Sequence, residues 1–235
     1  MSVKLKISHT VKILTLVSAF LGVFISFFYA KEDGYYFWWS RLLYFTGQSN
    51  LWIGITFLVT LLSTFGLKNY RYKWRDRLYL IKFVFTVSIT ITAIVFCFFL
   101  APFADESYHV WSFYSILNHV VTPVLAVADL FLDKYKINLK TRHVLLSITP
   151  ALVYFTLVGI LGAFEYDFGR GETYPYFFMN FRSPAGFFGF ASEPNFLGTF
   201  YWLLLFGIIM TGVGYVYLLI NEKLLENRSV NNKKR

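Results

Sequence analysis

Six stretches of this chain stay apolar for longer than the roughly 18 residues that distinguish a membrane-crossing helix from a buried core helix. Hydrocarbon offers no water to a backbone N–H or C=O, so a segment that crosses it must satisfy its own hydrogen bonds. Runs this long select helices. The fold class is expected to be all-α: a polytopic integral membrane protein with six transmembrane helices, at about residues 10–30, 41–65, 78–101, 110–132, 143–164 and 195–220. They form one domain over residues 1–235, with 165–195 as an outer loop. Hydrophobic residues make up 57% of the chain and charged residues only 15%, which leaves no stretch for a separate soluble domain. The first run is expected to be retained, because Tyr29-Ala30-Lys31 is a poor small-residue cleavage site.

Charge gives the orientation. All but four of the 22 Lys and Arg residues fall on one side of the spans, the exceptions being Lys31, Arg41, Arg170 and Arg182. Cationic loops stay in the cytoplasm, so both termini are expected there. The net charge of +9 is read as topology and contact with anionic head groups, and no nucleic-acid partner is expected. Cys97 is the single cysteine and excludes an intramolecular disulfide.

Against this apolar background, two spans carry polar side chains where they are costly. The fourth holds Asn118, His119 and Thr122, with Pro123 beyond them and Asp129 toward its far end. The second opens with Thr46, Gln48, Ser49 and Asn50. At 1.5 Å per residue, Thr46 lies roughly 8 Å and His119 roughly 15 Å below the outer boundary, so a stagger of the helices lets them meet. Asn118, His119 and Thr122 share a stripe, as do Thr46, Ser49 and Asn50. Two polar stripes at comparable depths point to a common interior pocket.

The chemistry such a pocket suits is acyl transfer. A threonine hydroxyl becomes a nucleophile when a base takes its proton, and imidazole, with a reference pKa of about 6.5, serves that purpose. Thr46 and His119 are therefore the expected catalytic pair. Gln48, Ser49, Asn50, Asn118 and Thr122 are the expected substrate and oxyanion contacts. Asp129 lies roughly 15 Å further along the helix from His119, too far to complete a triad, and is expected to pair with Lys82 or a loop cation. The hydroxyls of the third span are expected to bond back to their own helix, and Pro150 to kink the fifth span. Arg170 and Arg182 are expected as interface anchors, and His9, His109 and His143 as solvated residues near span ends. No metal or cofactor is expected.

The segments YFTGQSN at 44–50, LNHVVTPVLAVAD at 117–129 and YPYFFMN at 174–180 resemble the androgen-induced membrane protein family and its bacterial six-span relatives. The resemblance covers most of the chain by topology. It implies an integral protein of a bacterial plasma membrane. It also implies a threonine hydrolase like the animal members, which cleave fatty acid esters of hydroxy fatty acids with an intramembrane Thr and His. Those roles fall on Thr46 and His119. The animal proteins have a second nearby histidine, whereas this chain has only His119 before Pro123.

The leading expectation is an intramembrane fatty acyl ester hydrolase with a Thr-His dyad, acting on a membrane lipid or acyl ester. The alternative is a non-catalytic protein that binds or transports a lipid or small molecule, with glycines and prolines permitting broken helices around the same pocket.

Overall fold

The computed structural model describes residues 3–65, 70–104, 109–192 and 196–233. The acidic loop residues Asp105 and Glu106 and the last three residues of the 165–195 loop lie outside them. Eight α-helices follow in order: α1 Val3–Phe28, α2 Phe45–Phe65, α3 Tyr70–Val95, α4 Phe113–Ile116, α5 Thr122–Leu132, α6 Thr141–Leu146, α7 Thr149–Ala163 and α8 Thr199–Lys233. The structure is all-α, with no strand among the described residues beyond the isolated bridge Phe190–Leu197.

Six helical windows are long and apolar enough to cross a membrane: Ile7–Phe28, Phe45–Thr64, Trp74–Phe103, Phe113–Leu132, Thr141–Ala163 and Thr199–Val230. Each matches an expected span to within a few residues, with two differences at the ends. The second span begins at Phe45 rather than residue 41, because residues 38–43 wind into a separate 3-10 helix, Trp38–Leu43, and Tyr44 is extended. The sixth does not stop near residue 220; α8 continues to Lys233. Its tail, NEKLLENRSVNN, holds good helix formers and no Gly or Pro, so nothing ends the helix where hydrophobicity does.

Three spans are irregular for identifiable reasons. The third passes from α3 through a π-turn, Phe96–Leu100, and the fourth joins α4 to α5 through another, Leu117–Val121. The fifth breaks between α6 and α7, with Pro150 in the first turn of α7. Pro150 has no N–H for the Leu146 carbonyl, and the Thr149 hydroxyl donates to that carbonyl instead. In α3, Ser88, Thr90 and Thr92 donate to the carbonyls of Val84, Thr86 and Ser88, the back-bonding expected of hydroxyls in an apolar helix, whereas the Thr86 hydroxyl of the same run is buried without a hydrogen-bond partner.

Helices α1, α2, α3 and α5 pack as a four-helix unit around Ala19, Ile53, Phe57, Ile89 and Ala126. A second core joins α3 to α8, α7 and the long connection before α8. That connection is part of the fold: Phe168, Phe178 and Met179 are buried in it, and Phe177–Met179 forms a 3-10 turn.

Four charged side chains meet near the end where most Lys and Arg gather. Lys12 of α1 reaches Asp129 at 2.6 Å and Asp133 at 3.2 Å, and Lys82 of α3 reaches Asp129 at 2.9 Å and also pairs with Asp133. Asp129 thus has the expected partner, Lys82, and a second, Lys12, drawn from a helix distant in sequence. Two cations against two anions leave the cluster balanced, which is the condition for burying it. At the same end, Tyr79 donates to Asn221 at 2.7 Å, and the Asn221 amide donates to the Ile137 carbonyl at 2.9 Å, fastening α8 to α3.

Candidate active site

Thr46 sits in the first turn of α2, where backbone amides have no acceptor within the helix. The turn is braced by its own sequence. The Gln48 backbone amide donates to the Tyr44 carbonyl at 3.2 Å, and the Gln48 side chain donates to the Leu42 carbonyl at 3.0 Å, tying helix to 3-10 turn. Gly47 permits the contact, since a Cβ there would stand 2.4 Å from the Arg41 carbonyl oxygen. Thr46 is half-buried.

His119 reaches the same level from the fourth span. In a π-turn each carbonyl accepts from five residues ahead, as the Leu117 carbonyl does from the Thr122 amide. The next carbonyl, that of Asn118, would then need an N–H from Pro123, which has none. Asn50 supplies it: its side-chain amide donates to the Asn118 carbonyl at 3.1 Å and to the Thr46 carbonyl at 2.9 Å. One carboxamide therefore couples the backbones that carry the threonine and the histidine.

The result is direct contact. The Thr46 hydroxyl lies 3.3 Å from His119 Nε2. On the other side of the ring, Nδ1 lies 2.9 Å from the Ser115 carbonyl and 3.2 Å from its hydroxyl. A carbonyl only accepts, so Nδ1 carries the proton and Nε2 presents its lone pair to Thr46. Phe96, first residue of the other π-turn, stacks on the imidazole with centroids 3.6 Å apart and planes 8° from parallel. Ring orientation is thus fixed from an edge and a face.

The pair opens into a chamber of about 300 Å³ lined by Thr46, Gly47, Asn118, His119, Tyr44 and Tyr114, with Arg41, Arg170 and Tyr176 among the other walls. Arg41 pairs with the Asp33 carboxylate, to which the Tyr114 hydroxyl also donates. Arg170 donates to the Asp33 backbone carbonyl at 2.6 and 3.1 Å. The two guanidinium groups lie 4.3 and 4.6 Å from the centre of the Tyr35 ring. Arg170 is held in place by the loop's own geometry, where Asp167 accepts the amides of Gly169, Arg170 and Gly171. Burial pushes the phenols of Tyr44 and Tyr176 up, against the opposing pull of Tyr35 and the nearby arginines on Tyr44 and of Thr46 on Tyr176, so both remain protonated hydroxyls.

A second, smaller cavity of about 80 Å³ lies on the far side of Thr46, walled by apolar side chains of α3, α7 and α8. Thr46, Leu100 and Tyr176 line both spaces.

The residues singled out in sequence separate into two groups. Thr46, His119 and Asn118 face the chamber, and the Asn118 carboxamide oxygen sits without a hydrogen-bond partner in a notch above Gly22, where a Cβ would come within 2.2 Å of it. Gln48, Ser49, Asn50 and Thr122 do not line it. Ser49 meets the Thr92 hydroxyl at 2.8 Å, and Thr122 donates to Ser18 at 2.9 Å, so both join helices. Arg182 pairs with Glu165 in an exposed bridge of 2.9 Å, whereas Arg170, expected at the interface, turns into the chamber wall. Ser115, Phe96, Arg41, Tyr114 and Tyr176 were not singled out. Only Ser115, one turn before His119, carried a sequence signal for its role. Among the described residues no cluster of His, Cys, Asp and Glu is arranged to hold a metal ion.

Comparison of the chain with protein-family models, with curated proteins and with solved structures gives no match.

Proposed function

We propose that this chain is an integral protein of a bacterial plasma membrane, with both termini cytoplasmic, that hydrolyses fatty acyl esters within the bilayer. The placement in a membrane is supported by the six apolar windows and by apolar side chains exposed along their length, such as Val17 and Phe24 on α1 and Val153 on α7. The catalytic reading rests on one observation: the Thr46 hydroxyl at 3.3 Å from an imidazole nitrogen whose lone pair is aimed at it.

In this reading Thr46 Oγ1 attacks the ester carbonyl carbon while its proton passes to His119 Nε2. The Asn118 carboxamide and the first-turn amide of Gly47, two residues that line the chamber, serve in this reading as the oxyanion donors. Collapse of the tetrahedral intermediate breaks the bond to the alcohol oxygen, which leaves with the proton held by His119. Water, deprotonated by the same nitrogen, then attacks the acyl-threonine; the intermediate collapses by breaking the bond to Thr46 Oγ1, which takes the proton back from His119, and the carboxylic acid is released. The Ser115 carbonyl stabilises the imidazolium that forms in each half, the part an acid plays in a triad. With that carbonyl in place Asp129 is not required, and its bonds to Lys12 and Lys82 show it engaged elsewhere.

The test is covalent. A fluorophosphonate probe is expected to label the purified protein, His119→Ala to slow labelling, and Thr46→Ala to abolish it; labelling that survives Thr46→Ala rejects Thr46 as the nucleophile. The non-catalytic alternative predicts lipid flux in proteoliposomes that Thr46→Ala leaves unchanged.

A further inference from the structure

The small cavity beyond Thr46 has one side that the protein leaves unfilled. Ile148, Ala151, Leu152 and Phe155 approach it from α6–α7, and Leu203, Phe206, Gly207 and Met210 from α8. The fifth segment packs on α8 through α6, where a Cβ on Gly214 would stand 2.9 Å from Val144, whereas α7 and α8 make no comparable contact. Gly207 lies in that gap, and a Cβ built on it would meet nothing within 4 Å. Glycine in a helix interior costs about 1 kcal/mol relative to alanine, and here no neighbouring atom requires it. A larger side chain there would project into the crevice that Gly207 lines.

From these observations we infer that the crevice between α7 and α8 is the acyl-chain site, entered sideways from the bilayer past Gly207. This deepens the hydrolase reading and rests on it for the position of the ester. The occupant follows from the two spaces that share Thr46. A ligand with its ester at Thr46 meets arginines and tyrosines on one side and apolar side chains on the other. At about 80 Å³ the crevice holds only the first few methylenes. The remainder of a long chain then lies against Leu152 and Leu204, whose exposed apolar surface belongs to the same helices. A lipid can thus present its ester without leaving the membrane, and a longer chain gains contacts only while the gap stays open.

Two measurements on protein reconstituted in phosphatidylcholine vesicles test this. In the first, p-nitrophenyl palmitate and p-nitrophenyl acetate are hydrolysed by the wild type, Gly207→Phe, Gly207→Ala and Gly212→Phe. Gly212 also faces open space on α8 but does not line the crevice. Gly207→Phe is expected to lower the palmitate-to-acetate rate ratio by roughly tenfold or more, the loss of two or so methylene contacts, with Gly207→Ala intermediate and Gly212→Phe like the wild type. An unchanged ratio in Gly207→Phe overturns the portal. In the second, a palmitic acid bearing a mid-chain diazirine is photolysed with the wild type, and the adducts are expected within residues 148–155 and 203–210. Adducts confined to other faces overturn the inference. If no ester is hydrolysed but the adducts fall in those two segments, the hydrolase reading fails and the acyl site stands.

Discussion

His119 can act on Thr46 because each nitrogen of its ring has a single assignment: Nδ1–H to the Ser115 carbonyl, Nε2 to the threonine hydroxyl. Replacing it with glutamine, which keeps much of the buried volume beside Phe96, is therefore expected to lower ester turnover by about 10²- to 10⁴-fold, measured against p-nitrophenyl esters, with little change in thermal midpoint. Asn50 gives the opposite balance. Asn50→Ala leaves the buried Asn118 carbonyl without its donor, whereas the Thr46 carbonyl keeps the Ser49 hydroxyl; the loss costs about 1–3 kcal/mol, and a lowered unfolding midpoint in detergent is the expected result. If that midpoint does not move, the carbonyl has found another donor and the coupling between the two helices is not maintained by Asn50. The oxyanion side of the site was hardest to read ahead of the structure. Gln48, Asn50 and Asn118 have the same chemistry, and only the direction of each carboxamide, set by Leu42, Thr46 and Gly22, separates them.

At the scale of elements, the π-turn at Leu117–Val121 positions the histidine, and Pro123 is its cause in sequence. Pro123→Ala restores an N–H and removes the reason for the wide turn. Return to α-helical register rotates the segment before it by roughly 100° relative to the rest of the helix. The variant is then expected to lose probe labelling and, because Tyr114, Ser115 and His119 turn out of their buried contacts, to unfold at a lower temperature. Fluorophosphonate labelling and differential scanning fluorimetry on one preparation check the two losses together; retained labelling would show that His119 does not depend on the turn. The six long apolar helical segments among the described residues were legible because length and hydropathy decide them. The late start of α2 was not, because hydropathy does not distinguish a 3-10 turn from the first turn of an α-helix; at the boundary Gly47 packs against the Arg41 carbonyl.

At the scale of the whole molecule, Lys12, Lys82, Asp129 and Asp133 join three helices through charges that are buried because they balance. Asp129→Asn unbalances them, and removing one partner of such a buried set costs about 3–5 kcal/mol. A marked fall in thermal midpoint is expected, with partial recovery on adding Lys12→Met; no recovery would show that the cations are not the source of the loss. Lys136, beyond this cluster, donates to the Leu130 carbonyl at 2.8 Å. Burial, together with Lys82 and Arg228, pushes its ammonium down to about 8. Between about pH 8 and its ordinary value near 10.5 the folded chain holds fewer protons at this group than the unfolded chain, so its contribution to stability rises with pH. Thermal midpoints at about pH 7.5 and about pH 9.5 are expected to show less of that rise in Lys136→Met than in the wild type.

Sequence alone determined the number and approximate limits of the six long apolar helical segments, because length and hydropathy are read directly from the chain. It also put Thr46 and His119 at depths that could coincide, since polar side chains in such runs are few and fall on narrow stripes. Tertiary structure decided which groups meet. The imidazole is aimed by a carbonyl one turn back and a phenylalanine from another span; the chamber wall draws on Arg170 from a loop more than a hundred residues after Arg41; the crevice exists because α7 and α8 stand apart. Each depends on the direction of a side chain or the spacing of helices far apart in the chain, which local pattern does not encode.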